Sequence, residues 1–554
     1  LANRWITARC ALAAGLVLSA LAVASSAPLV VRGPYLQAPG GPANPAVVWY
    51  TDGATDGAVH WRPAGGFWQE ARQTHAPGTR HEVPLAGLEG GAPHEYRVTA
   101  LGTVLATNEP RADWSFIAAA PSPLRVVAFG DAGSGGPGQV DVAAAVGRLD
   151  PPPDFVLLLG DTVYPSGAEA DYDRKFFAPY RDLLSRFPFL SVIGNHDYES
   201  QNGQPFLGVM SLPRNGPATV TAETVYSFDQ GGVHFVAHDS NLGETQLQRQ
   251  VSPWHVADVR KSNAPFKVAA MHHPAYSSGP NSVKAPTPAV RAFFGPLFSS
   301  TGIDLVLSGH EHAYERSRPV NGTIYVVSGA GGMDLYPRVA SNDYSEIYYG
   351  EGGRFSYSTL DVEGRLLRLE QRDVAGCRVD TLALHKPLAE GDPWRVWRGA
   401  GAPPPDWASP GFADEAWALL PSAFGYGAPD LQAELGDMRG GYLTVHARAA
   451  FEAPGYARLA DHVLLRLRYD DGFVAYLNGV EVARRNVPVG QVAATPAAGT
   501  HPGEWFETVA LPASALVEGR NVLALEGHNR TLADASFVLA PELTLVAATP
   551  GRCP

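Results

Sequence analysis

The sequence has little lysine, little cysteine, no surplus of positive charge, no apolar run long enough to span a membrane, and no fixed-period repeat or low-complexity tract. Lysine supplies only five of 42 basic residues, a skew that reflects codon usage rather than chemistry. The formal net charge of −13 argues against a nucleic-acid binder held by phosphate neutralisation. Near the start, residues 10–23 form an apolar run of roughly fourteen residues, short of the roughly 20 that a spanning helix needs. What is abundant is glycine and proline, 59 and 47 of 554 residues, beside 45% hydrophobic residues. Together these exclude a coiled coil, a helical bundle and a disordered chain. At roughly 150 residues per domain, the length allows three to four domains, each with its own core.

Residues 1–27 read as an export signal. Arg4 and Arg9 make a positive n-region, the short apolar run follows, and Ala22-Val23-Ala24 has the small-x-small pattern of a cleavage site. The alternative is a retained membrane anchor. Removing Arg4 and Arg9 takes the charge from −13 to −15. The expected location is secreted, periplasmic or extracellular, with no membrane span after cleavage. Of three cysteines, Cys377 and Cys553 would remain. In an exported protein the pair suggests one disulfide tying the chain's end back across its last third; the alternative is two separate thiols.

Three further segments follow from periodicity. Residues 28–121 carry short strands between turn clusters, among them Ala46-Val47-Val48-Trp49-Tyr50-Thr51, Ala58-Val59-His60-Trp61 and Tyr96-Arg97-Val98-Thr99-Ala100. This predicts a small β-sandwich, with Tyr96 placed where a tyrosine-corner residue would stand. Residues 122–386 alternate apolar strands with helical stretches. Strands are predicted over 124–129, 155–159, 189–193, 233–237, 268–271 and 305–307, and Val140, Ala143, Ala144 and Val146 fit one helix face. Each strand runs into polar residues at its C-terminal end, where α/β sheets collect their active sites. Residues 387–554 return to β-structure. Asn478-Gly479 between two strand patterns predicts a type I′ hairpin, and the whole predicts a jelly-roll-like β-sandwich.

The strand ends of the middle segment carry five clusters in order: Gly130-Asp131-Ala132-Gly133, Gly160-Asp161-Thr162-Val163-Tyr164, Gly194-Asn195-His196-Asp197, His272-His273-Pro274, and Gly309-His310-Glu311-His312-Ala313-Tyr314-Glu315-Arg316. Hard oxygen ligands beside imidazoles suit two transition-metal ions roughly 3.5–4 Å apart. Four of the five clusters open on a glycine, which lets the backbone turn sharply at the strand end.

These motifs resemble the five metal-binding motifs of the calcineurin-like metallophosphoesterases, and Tyr164, three residues after Asp161, makes the resemblance specific to purple acid phosphatases. It covers about residues 28–385 and implies an αββα metallophosphoesterase core preceded by a fibronectin-like β-sandwich. Carried over residue by residue, it implies one metal held by Asp131, Asp161, Tyr164 and His312, and a second held by Asp161, Asn195, His272 and His310, with Asp161 bridging. A phenolate from Tyr164 favours Fe(III), with Fe, Zn or Mn as the divalent partner. The implied reaction is hydrolysis of phosphate esters by in-line attack of a metal-activated hydroxide. His196 would be the acid that protonates the leaving group, and Asn195, His196 and His273 would contact substrate. Asp197 departs from the glutamate common in the family. Asn281 and Ser282 stand where plant-type enzymes carry two histidines, so His273 is the remaining candidate for that role, or else a packing residue. Glu311 and Arg316 suggest a salt bridge stiffening the His310/His312 loop, the alternative being contact with substrate.

The last segment, with Trp394, Trp397, Trp407, Trp417 and Trp505, resembles galactose-binding-like accessory domains. Its tryptophans would either present a platform for a carbohydrate or cell-surface ligand or fill the domain's core. The leading functional expectation is a secreted acid phosphatase acting on monoesters. The alternatives are a phosphodiesterase or phospholipase-type activity, and a surface glycan-binding protein with a vestigial metal site.

Overall fold

The structure, a computed structural model, describes residues 28–554 apart from 101, 106–112, 400, 454, 456–459, 491–495, 498, 552 and 554. The expected export signal lies outside the described residues. The predicted strands of the middle segment all form, within a residue or two at their ends. Alternation along them explains the layering. In Val233–His238, Val233, Phe235 and Ala237 enter one core and Val236 another. In Phe266–Met271, Phe266, Val268 and Ala270 turn to the first core and Ala269 and Met271 to the second. A pleated strand buried on both faces serves two layers.

The first core lies between two sheets. One sheet is seven-stranded, in the order Tyr226–Gln230, Val233–His238, Phe266–Met271, Leu305–Ser308, Ile324–Ser328, Tyr314–Ser317, Ser345–Tyr349. The facing strands are Leu366–Asp373, Ser356–Glu363, Leu124–Phe129, Phe155–Leu158 and Phe189–Ser191. Helices Ser252–Lys261 and Thr287–Thr301 cover the outer face of the seven-stranded sheet, while Pro137–Gly147 and Ala178–Leu184 pack against the facing strands. This is the helix-sheet-sheet-helix sandwich expected for residues 122–386.

Before it, Val30–Gln37, Ala46–Thr55 and Gly78–Pro84 face a five-stranded sheet across a separate core containing Trp49, Trp61 and Trp114. The Tyr96 hydroxyl donates to the Ser185 carbonyl of the middle segment at 2.9 Å, so it is used to join the two cores. After the middle segment, a six-stranded sheet packs against Phe424–Tyr426, His462–Tyr469, Glu507–Leu511 and the first part of Phe537–Pro550. Asn478 and Gly479 have φ of 54° and 85°, the pair of left-handed residues that a type I′ turn requires.

The segments are joined through hydrogen-bonded strands as well as loops. Gln37 pairs with Phe189, and Arg378–Leu388 runs antiparallel to Phe537–Pro550, with Asp380 opposite Pro550 and Leu388 opposite Leu543. That pairing carries the two cysteines to the same end, where Cys377 and Cys553 form a disulfide across 176 residues. Of the five C-terminal tryptophans, Trp394 is in the sandwich core, while Trp407 and Trp417 are buried in a second cluster that Trp397 packs against. Trp505 is part-exposed beneath Arg260. The four packed tryptophans fill the interior rather than forming an open platform.

Candidate metal centre

Register puts the site together. Leu158 pairs with Phe129 and Ser191 in one sheet, and Met271 with His238 and Ser308 in the other. The strands therefore end level, and the five motifs emerge on one edge of the sandwich. Three of the emerging residues, Asp131, Asp161 and His310, have φ of 57°, 53° and 68°. Left-handed backbone in non-glycine residues costs on the order of 1–3 kcal/mol each, and a cluster of it marks a site whose surroundings over-determine the geometry. The motif glycines serve two different needs. Gly160 itself takes a positive φ of 89°, whereas Gly194 is extended and is required because a Cβ there would land on the Asp161 carboxylate.

Each aspartate divides its oxygens. Asp131 Oδ2 accepts from the His310 amide at 2.7 Å, and Asp161 Oδ1 accepts from the His196 amide at 2.9 Å. That frees Asp131 Oδ1 and Asp161 Oδ2 for the centre. Around them two clusters form. In one, the Tyr164 hydroxyl lies 2.9 Å from Asp161 Oδ2, 3.1 Å from Asp131 Oδ1 and 3.3 Å from His312 Nε2. In the other, Asn195 Oδ1 lies 3.0 Å from His272 Nε2 and 3.1 Å from His310 Nδ1, and His272 Nε2 is 3.3 Å from Asp161 Oδ2. Asp161 belongs to both. The structure thus brings together all seven residues carried over as ligands, in the two predicted groups.

The donor set fits cations. His272 Nδ1 faces the Leu159 carbonyl at 2.7 Å and His312 Nδ1 faces the Asp334 carbonyl at 2.9 Å. A carbonyl only accepts, so both Nδ1 atoms carry hydrogen and both Nε2 atoms point inward. In the first cluster a single phenolic proton faces three acceptors. Among the described residues no lysine or arginine pairs with Asp131 or Asp161; their ion-pair partners are His312 and His272. Burial raises Asp131 well above the usual carboxylate range, lowers His310 to about 3 and His312 to about 4, and with the two carboxylates raises Tyr164. His272 goes the other way: although burial favours its neutral ring, Asp161 and Asp131 raise it to about 10. With no lysine or arginine among the described residues paired to the two carboxylates, the raised His272 imidazole is the chain's own response to their charge.

His196 stands at the rim, a third exposed. Its Nδ1 donates to the Pro165 carbonyl with Glu199 at 3.3 Å, and its ring lies 4.7 Å from that of Tyr164. His273 is buried behind the centre, its Nδ1 2.9 Å from Ser240 Oγ and its ring 4.4 Å from that of His310. Asp197 does not reach an imidazole. It accepts from the Thr162 amide at 3.0 Å, the Thr162 hydroxyl at 2.5 Å and the Gly194 amide at 3.0 Å, tying the second motif to the third. The expected Glu311–Arg316 salt bridge does not form. Arg316 pairs with Asp380 and Glu346, both at 2.6 Å, because side chains five apart on a turn-then-strand path face different neighbours. Glu311 instead accepts from the Asn281 amide at 2.7 Å. Sequence reading missed Gly331–Tyr336, which backs the first cluster; it holds no ligand-type pattern, and only its proximity gives it away.

The family model for calcineurin-like phosphoesterases matches residues 124–314. Relatives include purple acid phosphatase 15 of Arabidopsis thaliana, 30% identical over 216 residues that cover 32% of this chain and 40% of that protein. Another is tartrate-resistant acid phosphatase type 5 of Oryctolagus cuniculus, 25% identical over 253 residues covering 40% of this chain and 76% of that one. The chain thus spans less than half the length of the Arabidopsis relative. The structure of a purple acid phosphatase from yellow lupin (Lupinus luteus) seeds superposes with a TM-score of 0.54 at 20% identity, over 62% of this chain and 72% of that one. The chain carries a calcineurin-like phosphoesterase domain. Purple acid phosphatases are among its homologues.

Proposed function

We propose that this protein is an acid phosphatase of the purple acid phosphatase type, hydrolysing phosphate monoesters with two metal ions held by Asp131, Asp161, Tyr164 and His312 on one side and by Asp161, Asn195, His272 and His310 on the other. The observation that carries the reading is the pair of donor clusters sharing Asp161 Oδ2. Two ions held there would supply charge against that developing on the phosphoryl oxygens and lower the pKa of the attacking water. The hard anionic donor that Tyr164 becomes on ionisation supports Fe(III) on its side, beside divalent Fe, Zn or Mn.

The chain's own groups divide the remaining work. Asn195 turns Oδ1 to the imidazoles, which leaves its amide hydrogens to bind a phosphoryl oxygen. His196, with Nδ1 committed to Pro165, keeps Nε2 as the nitrogen from which a proton can pass to the leaving oxygen. His273 acts from behind, steadying His310. The Cys377–Cys553 disulfide supports an oxidising, extracytoplasmic location, and the division at 28–121, 122–386 and 387–554 is our proposal for the domains. Purified protein should hydrolyse p-nitrophenyl phosphate faster than bis-p-nitrophenyl phosphate and absorb visible light through its phenolate–iron pair. A strong preference for the diester would replace the monoesterase reading with a phosphodiesterase.

A further inference from the structure

The first cluster differs from the second in what stands behind it. After the strand Ile324–Ser328 the chain returns beneath the site. The Gly331 amide donates to the Gly130 carbonyl at 3.1 Å and the Met333 amide to the Asp131 carbonyl at 3.0 Å. The Asp334 carbonyl then accepts from His312 Nδ1 at 2.9 Å, and the Tyr336 amide donates to the His312 carbonyl at 2.9 Å. Tyr336 finally lays its ring on the His312 imidazole, with centroids 4.0 Å apart and planes 19° apart. Its own carbonyl is pinned by the Tyr348 hydroxyl at 3.0 Å and the Glu351 amide at 2.9 Å, so the ring is held from a fixed base. The imidazole is thereby fixed on one edge by a carbonyl and on one face by a flat ring. Rotation about its Cβ–Cγ bond would break both contacts. The second cluster has no such stack: His310 has His273 tilted at 58° against it, and His272 stands nearly perpendicular to both neighbouring imidazoles.

We propose that Tyr336 is a positioning residue for His312, holding Nε2 on the Asp131/Tyr164 side so that this half of the centre binds its metal tightly while the Asn195/His272/His310 half is indifferent to it. The inference rests on the two-metal reading above. Groups that orient an imidazole ligand typically set metal affinity by about 10–100-fold.

The test uses metal-stripped full-length protein titrated with zinc alone against a chelating indicator, with equivalents bound read directly, so that activity is not the readout. Wild type should bind two equivalents. Tyr336→Leu should weaken one equivalent by about 10-fold or more and leave the other unchanged. Tyr336→Phe should restore it, since the ring and not the hydroxyl does the holding. The unfolding temperature of the metal-stripped leucine variant should match wild type; Tyr336→Met serves if that variant does not fold. Two equally tight equivalents in the leucine variant would overturn the inference. So would loss of both equivalents together with a lowered unfolding temperature, a phenylalanine variant as weak as leucine, or a raised KM with unchanged zinc affinity. A wild type that binds no zinc would instead sink the two-metal reading, which separates the two failures.

Discussion

Two of the clusters of buried charge among the described residues are compensated in opposite ways. At the junction of the middle and last segments, Asp304 and Glu542 meet Lys386 and Arg466, none more than 4% exposed. Lys386 Nζ lies 2.8 Å from Asp304 and 3.3 Å from Glu542, and Arg466 lies 2.9 Å and 3.2 Å from the same two. Arg466 also donates to the carbonyls of Gly302, Ile303 and Gly322. Two carboxylates face two directly paired cations, and Lys267, also buried, lies close enough to act on Glu542. At the strand-end site, Asp131 and Asp161 are as deeply buried, yet their neighbours are a phenol, an amide and imidazoles. Burying carboxylates is costly unless positive charge meets them. Where the chain supplies that charge through lysine and arginine, the cluster welds two segments; where phenol, amide and imidazoles stand instead, the cluster is the metal site we propose.

The largest effect comes from breaking the site. Asp161→Ala removes the group common to both clusters. It should lower monoester hydrolysis by more than the about 100-fold seen for outer-shell changes and abolish binding of at least one metal equivalent, read by elemental analysis of folded protein. Breaking the weld comes next. Lys386→Met removes one directly paired cation from two buried carboxylates, leaving Arg466 and the more distant Lys267, and should destabilise the protein by about 3–5 kcal/mol in denaturant unfolding, with metal equivalents per folded molecule unchanged. The same network should sense acid. Glu542, which burial alone would raise from 4.5, is lowered to about 2 by Lys386, Lys267 and Arg466. Its contribution is therefore whole above about pH 4.5 and is lost as pH falls through about 2, a limb that should flatten in Glu542→Gln. The smallest effect lies at the exposed rim of the same junction. Trp505→Ala removes the ring 5.1 Å from Arg260 and should cost about 0.5–1 kcal/mol or less, separating buried from exposed charge at one interface.

Much of the middle segment was legible because its strands are short apolar runs followed by glycine and a ligand residue. Phe129, Leu158 and Ser308 end strands within a residue or so of where the hydrophobic runs end. The candidate ligands were legible for a related reason: Asp131, Asp161 with Tyr164, Asn195, His272, His310 and His312 all follow strands within six residues of their ends, a placement that can be read from sequence. Contacts between distant, unpatterned residues were not legible. Nothing in the spacing of Glu311 and Arg316 says that Asp380 lies nearer to Arg316, and nothing around Tyr96 says that Ser185 will accept its hydrogen bond. Tyr336 sits in a loop without a ligand motif, so its stacking on His312 is set by the tertiary fold alone.

The sequence by itself determined the succession of β-rich, α/β and β-rich segments, the hairpin at Asn478-Gly479, and the identity and order of the candidate ligands, because each rests on local periodicity or on a short motif whose chemistry travels with it. The tertiary structure alone decided how those pieces are held. It sent four of the C-terminal tryptophans into packed clusters, chose the disulfide over separate thiols at Cys377 and Cys553, ran one sheet through all three segments, and set Lys386 and Arg466 against Asp304 and Glu542. The cysteines are few in composition but decisive in place. Pairing of Arg378–Leu388 with Phe537–Pro550 brings them within reach, and such a pairing depends on register between strands about 160 residues apart, which no local pattern encodes.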